Sequence, residues 1–221
     1  MTARAALAGA GSTAGRSDRE TRDRLLAAAE KLFAERGFRK VTVREICREA
    51  GANIAAINYH FGDKLGLYRE VLQTAIDAMR ATNEAARAAA QGRPPEQRLR
   101  HYIVTYVRRL LASSNYTWLH RLINREMTDA TPALDALVEQ GVKPRIDYLS
   151  GVVAEILGCK PSDRRVLRCV ASIQSQSVAY LPNPIVRKLG FEFGHTPAEI
   201  DEIAEHIANF SVAGVRAISR S

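Results

Sequence analysis

The chain has 221 residues but only three cysteines, Cys47, Cys159 and Cys169. Their odd number and wide spacing suit neither a disulfide framework nor a four-ligand zinc site, so a reducing cytoplasm is the expected setting. No stretch approaches the roughly 18 consecutive apolar residues of a membrane helix, because charges interrupt every hydrophobic run. No membrane partner is expected. Residues 1–17 contain no acid and lack the apolar core of a signal peptide; with Arg4 and Arg16 among Ala, Gly, Ser and Thr, they read as a disordered tail.

Catalytic signatures are missing as well. Among His60, His101, His120, His195 and His206 there is no His-x-x-x-His pair, and the single Glu-x-x-His, Glu192 to His195, falls in a glycine-containing loop. There is no Gly-x-Ser-x-Gly elbow, no glycine-rich phosphate loop, and no carboxylate pair whose spacing assigns acid and base roles. An enzyme is therefore not expected, nor a metal or other cofactor. What is present is a globular balance of 46% hydrophobic and 25% charged residues, with 32 Lys plus Arg against 24 Asp plus Glu. The resulting charge of +8 favours an anionic partner. Residues 1–70 carry 13 basic and 9 acidic residues, so half of that excess lies in the first third of the chain.

Helix punctuation recurs throughout and predicts an all-α fold. Ser17 with Glu20 has the spacing of a capping box and opens a helix over 18–36, whose Leu25, Ala29, Leu32 and Phe33 recur at three- and four-residue steps before Gly37. Thr42 with Glu45 starts a short helix ending at Gly51; a second short helix carries Ile54, Ile57 and Phe61; and Asp63 can cap a long one reaching about Gln91. Gly92-Arg93-Pro94-Pro95 is the clearest break. Later signals, at Asn115, Thr131-Pro132, Pro161-Ser162 and Thr196-Pro197 with Glu199, predict helices near 95–112, 115–128, 132–157, 162–180 and 197–219. Residues 181–195 read as a long loop with room for one helical turn.

Two short helices flanking a three-residue turn, TVREICREAGANIAAINYHF over 42–61, have the spacing of a helix-turn-helix. The second helix offers Asn53, Ala55, Ala56, Asn58, Tyr59 and His60 on its outer side, small residues beside hydrogen-bonding ones, as a surface lying against base edges requires. Lys64 stands where the next helix begins, with the unpaired N–H groups and dipole that attract phosphate. The same spacing also occurs in helical proteins that do not bind DNA.

The run TRDRLLAAAEKLFAERGFRKVTVREICREAGANIAAINYHFGDKLGLYREVL, Thr21–Leu72, resembles the N-terminal domain of the TetR family of bacterial transcriptional regulators. The match lies in Ala28, Ala29, Leu32, Phe33 and Gly37, in Thr42, Val43, Ile46, Ala50 and Gly51, and in Tyr59-His60-Phe61 and Lys64. The resemblance implies that Thr42 and Arg44 touch the DNA backbone, that Asn53, Ala55, Ala56, Asn58 and Tyr59 face the groove, and that Tyr59, His60 and Lys64 anchor phosphates. Ile54 departs from the Lys or Arg common in the family, and Asn58 from its usual aromatic. Segment Leu119–Gly158 also resembles a CerR-type C-terminal domain found in a subset of that family.

The resulting organisation is a tail at 1–17, a helix-turn-helix domain at 18–64, and a helical ligand-binding and dimerisation domain at 65–221. Family C-terminal domains bind small molecules and dimerise through their last two helices. Here Val166, Val170, Ile173 and Ser177 on one helix and Ile203, Ile207, Phe210 and Gly214 on the last form stripes that predict a two-fold four-helix interface, the alternative being each subunit's own core. Polar groups on apolar helices mark candidate ligand contacts: Tyr102, Tyr106, Trp118, Leu122, Asn124, Arg125, Gln174 and Tyr180, each of which also has a purely structural reading. The expected function is a homodimeric repressor of a palindromic double-stranded DNA operator, released by a small molecule; the alternative is a helical ligand-binding or enzymatic bundle whose helix-turn-helix no longer reads DNA. Cys47 and Cys169, on apolar helix sides, are expected to be inert thiols.

Overall fold

A computed structural model describes residues 10–112, 116–181, 184–190, 193 and 196–219. Among them every regular element is helical: α1 (Ala10–Arg36), α2 (Val43–Ala50), α3 (Ile54–Phe61), α4 (Lys64–Ala90), α5 (Pro95–Ala112), α6 (Tyr116–Thr128), the single turn α7 (Leu134–Ala136), a π-helical turn (Leu137–Val142), α8 (Lys143–Leu157), α9 (Arg164–Ala179), α10 (Pro184–Lys188) and α11 (Pro197–Ser219). Asn115, Glu192 and His195, three of the residues singled out above, lie outside the described residues.

The chain divides into two compact units, one formed by residues up to Thr74 together with Trp118–Leu134, the other by Ala75–Thr117 and Asp135 onward. The division falls within α4, ten residues beyond the 64/65 boundary expected from punctuation, and it assigns most of α6 to the first unit. In that unit Leu25, Ala29, Phe33, Ile46, Ile57, Leu67 and Val71 are fully buried. Burying each of the larger side chains contributes about 1.5–3 kcal/mol, which holds α1, α2, α3 and the start of α4 in one arrangement. Phe33 meets Tyr68 edge-on at 5.0 Å, and Phe38 lies 4.9 Å from the same ring.

The punctuation at α2 is realised in full. Thr42 Oγ1 accepts from the Glu45 N–H at 3.3 Å, and the Glu45 carboxylate accepts from the Thr42 N–H at 2.8 Å. Gly51, at φ 60°, ends the helix in the left-handed region. Ser17 differs: α1 begins at Ala10 and runs through it, with the Ser17 carbonyl accepting from Thr21 Oγ1 as a mid-helix residue does. The expected tail is therefore helical from Ala10. No proline interrupts 10–17, and extending an existing helix adds one hydrogen bond per residue fixed.

The second unit joins α5, α8, α9 and α11. Here α5 and α11 run side by side, with Leu99, Ile103, Val107, Ile200, Ala204, Ile207 and Ala208 buried. Their rims carry ion pairs, Arg108 with Asp201 at 2.7 Å, Arg100 with Glu205, and Arg216 with Glu96. Such half-exposed pairs contribute about 0–1 kcal/mol each and set register more than stability. The helix expected over 132–157 is interrupted: α7, the π-helical turn and α8 follow one another, and Gly141 in the π-helical turn faces Met79, whose Sδ would lie 3.2 Å from an added Cβ. Asp163 rather than Ser162 caps α9, accepting from the Arg165 N–H at 2.8 Å, and the 181–195 loop contains α10.

Candidate functional site

The helix-turn-helix presents a built surface. Asn53 caps α3, its Oδ1 accepting from the Ala56 N–H at 2.9 Å. From that fixed start, Ile57 and Phe61 point into the core, which turns Ala55, Asn58 and Tyr59 outward; Tyr59 is 76% exposed. Ile54 is 43% exposed on the same short helix. Arg44 is exposed on α2, and Thr42, though also exposed, already serves its capping box. The Glu45 carboxyl is held down at about 2, first by the Arg36 guanidinium at 2.7 Å and then by the Thr42 groups.

Three candidates also pack against their own chain, Lys64 from its expected place at the start of α4. Ala56 is half-buried. The His60 side chain is only 7% exposed, with Nε2 3.4 Å from Asp18 Oδ1 on α1 and its ring between those of Tyr59 and Phe61. Packing against α1 draws it away from the outer face, because its position follows Ile57 by three residues and shares the buried side. Lys64 lays its ammonium 4.3 Å over the Phe38 ring, and burial there lowers its proton affinity. The α4 N-terminus already has an anion, since Asp63 Oδ1 accepts from the Gly66 N–H at 2.7 Å.

Behind this surface lies a contact that sequence reasoning missed. Tyr68 on α4 donates its hydroxyl to Glu126 Oε1 on α6, while Glu126 Oε2 accepts from the Thr131 N–H at 3.1 Å and from Thr131 Oγ1 at 3.2 Å. Glu126 is 1% exposed, and burial followed by its charge pushes the Tyr68 phenol well above its ordinary range. A Glu buried at this depth signals a partner, but 58 residues separate it from Tyr68, and spacing cannot supply the pairing.

Chain folding divides the proposed ligand contacts. Trp118, Leu122, Asn124 and Arg125 belong to the first unit, Tyr102, Tyr106, Gln174 and Tyr180 to the second. Arg125 Nη2 donates to the Glu35 carbonyl at 2.7 Å, closing the end of α1, and Leu122 is fully buried. Asn124 pairs with His120 at 3.2 Å, and Trp118 lines a hollow of about 230 Å³ with Glu30, Lys31 and Arg121. Leu122, Asn124 and Arg125 thus make structural contacts, while Trp118 faces a hollow. Tyr180 rests on Phe193 at 4.6 Å, and Gln174 has a buried Nε2 with no acceptor among the described residues.

Tyr102 and Tyr106 are joined in the second unit by residues not foreseen. Tyr102 donates to Asn83 Oδ1 at 2.7 Å, stacks with Tyr106 at 6.0 Å and meets Tyr148 at 4.8 Å. Arg145 donates to the Tyr106 hydroxyl and lies 5.1 Å over its ring, and Arg87 lies 5.1 Å over Tyr148. A hollow of about 350 Å³ opens beside Tyr148.

The stripes assigned to a dimer face mostly inward. Val166, Val170, Ile173, Ser177, Ile203 and Ile207 are buried within one chain, leaving Phe210, 64% exposed, and Gly214 outside. A stripe's period cannot tell an intrachain core from an interface, and here α5, α8, α9 and α11 cover it. The outward faces instead carry Leu167 and Val178, half exposed, on α9, and Phe210, Gly214 and Ala217 on α11. Burial raises the Cys47 and Cys169 thiols, as befits inert side chains.

The family model for the bacterial regulatory proteins of the tetR family matches residues 25–71, and that for the C-terminal domain of the HTH-type transcriptional dual regulator CecR matches 95–215, more than half of the chain. The chain belongs to the TetR family. Its C-terminal type is CecR rather than CerR, and the likeness extends well beyond Leu119–Gly158. The dual regulator CecR of Shigella flexneri is 31% identical over 169 residues, 73% of this chain and 75% of that protein. Among solved structures, a TetR-family transcriptional regulator from Streptomyces coelicolor superposes with a TM-score of 0.62 at 19% identity, covering 90% of this chain and 97% of that one. The TetR-family regulator PfmR from Thermus thermophilus gives 0.60 at 20% identity, covering 86% and 97%. These two share the fold. As a TetR-family member the chain is a DNA-binding transcriptional regulator and not an enzyme. Among the described residues no helix is long and apolar enough to cross a membrane.

Proposed function

We propose that this TetR-family protein acts in the cytoplasm as a homodimeric, ligand-responsive repressor, docking α3 into the major groove of a palindromic operator and leaving it when a small molecule enters the second unit. The observation that carries this is the outer face of α3, where Asn58 and Tyr59 are exposed while Ile57 and Phe61 are anchored. Ala55 leaves room for close approach, and Asn58 can accept and donate to a base edge. Arg44 supplies charge for the backbone. Ala56, His60 and Lys64 take supporting places, His60 and Lys64 orienting the neighbouring rings and helix ends rather than meeting phosphate directly.

Exposed Leu167, Val178 and Phe210 give the second copy its contact, placing two recognition helices about 34–36 Å apart or a multiple of it. Because α4 begins beside α3 and continues into the second unit, a ligand that shifts α4 alters that spacing. A coupling of about 1–3 kcal/mol changes affinity roughly 5–150-fold, enough to empty an operator. The test is a salt-dependent gel shift on the protein's own upstream DNA. Asn58→Ala is expected to weaken operator binding by about 1–3 kcal/mol with little effect on random DNA, and Arg44→Ala to weaken both and lower the salt slope by about 1. Equal losses on both DNAs for both variants would refute the assignment, and no shift at all would favour a bundle that does not read DNA.

A further inference from the structure

The hollow of the second unit is lined by Arg87, Glu139, Lys143, Pro144, Asp147 and Tyr148. At about 350 Å³ it suits a small ligand. Its charges are unequally satisfied. Lys143 and Asp147 neutralise each other at 2.6 Å. No carboxylate among the described residues pairs with Arg87, whose guanidinium rests on the Tyr148 ring instead. Three residues before Tyr148 on α8, Arg145 repeats the arrangement on Tyr106, and its Nε is buried without an acceptor among the described residues. Within the lining itself Arg87 and Lys143 balance Glu139 and Asp147, and Arg145, engaged on Tyr106 three residues before Tyr148, adds one positive charge beside the hollow.

An arginine resting on a ring engages the ring's face and keeps N–H donors for an acceptor, for which a carboxylate is the best geometric match. Glu139 belongs to the π-helical turn, a local feature common at functional sites, and Gly141 in that turn permits close contact with Met79 on α4, the helix that carries Arg87. Pro144 and Tyr148 supply flat apolar surface at the same place.

The geometry points to a small, flat monocarboxylate as the ligand of this hollow, its carboxylate met by Arg87 with Arg145 reinforcing the positive field, and its apolar body against Tyr148 and Pro144. This rests on reading the second unit as the effector-binding one. One excess positive charge matches a monoanion, whereas a cation would meet two guanidinium groups and a dianion would face Glu139.

Isothermal titration calorimetry of the full chain with 2-naphthoate and its neutral counterpart 2-naphthamide tests the proposal. The acid is expected to bind about tenfold or more tightly than the amide. Arg87→Gln should bring the two within about threefold, and Arg145→Gln should narrow the gap in the same direction. Arg87 is exposed, so Arg87→Gln keeps the fold, which its melting curve verifies. Arg165→Gln, on the remote α9 terminus, should leave the preference intact. No preference in the unaltered chain, or a preference surviving in Arg87→Gln, overturns the proposal. A parallel gel shift separates the two readings: preferential binding of 2-naphthoate that leaves the operator occupied upholds the site while refuting release by this ligand class.

Discussion

Tyr68→Phe isolates one hydrogen bond of the first unit. Phenylalanine keeps the ring that Phe33 and Phe38 contact and removes only the hydroxyl that Glu126 accepts from. A hydrogen bond to a charged group contributes about 1.5–3 kcal/mol. Stripping a buried charge of its only partner costs about 3–5 kcal/mol, but the Thr131 N–H and hydroxyl still hold Glu126, so the lower range applies. The expected loss is about 1.5–3 kcal/mol in the first unit, or about 3–12 °C in its thermal midpoint for a chain of this size. Urea and thermal unfolding followed by circular dichroism read both. In a cycle with Glu126→Gln, the two changes should couple by about 1 kcal/mol or more, since they remove the same contact. A loss below about 0.5 kcal/mol, or strict additivity in the cycle, would show that the carboxylate is satisfied without Tyr68 and would refute the reasoning.

Gly66→Ala would place a Cβ 1.9 Å from the Phe61 carbonyl oxygen, a backbone atom that cannot rotate aside; destabilisation of about 1–3 kcal/mol and weaker operator binding are expected, and an unchanged melting curve contradicts the close approach. The Glu45 carboxyl is lowered from 4.5 to about 2, so its stabilising effect is present above pH 4.5 and disappears as pH falls towards 2; acid titration of helicity should lose that component in Glu45→Gln, and identical titrations would refute it. The Tyr68 phenol is raised above its ordinary 10, so stability should fall as pH rises beyond 10, and Tyr68→Phe should blunt that alkaline loss. Phe210→Asp should yield monomers in sedimentation, whereas Val166→Asp should unfold the chain; a Phe210→Asp dimer of unaltered affinity would move the interface elsewhere.

Much of the local structure was legible because it is local. Thr42 and Glu45 find each other three residues apart, as do Thr196 and Glu199, and both boxes form where spacing places them. The outward turn of Asn58 and Tyr59 follows from Ile57 and Phe61 being apolar at a helical step. Errors arose where a choice between two burial partners was needed. Val166 to Ser177 and Ile203 to Ile207 form correct stripes, yet their partners are helices of the same chain.

By itself, then, the order of residues determined most of the helices, the capped starts of α2 and α11 and the small-residue face of α3, since caps and periodicity act over three to four positions. Only the tertiary structure decided that Tyr68 meets Glu126, that Tyr102, Tyr106 and Tyr148 gather with Arg87 and Arg145, and that Phe210 stays outside while Ile207 goes in. Those outcomes depend on which distant helices come together, and burial and charge pairing are properties of that assembly, which no short-range pattern encodes.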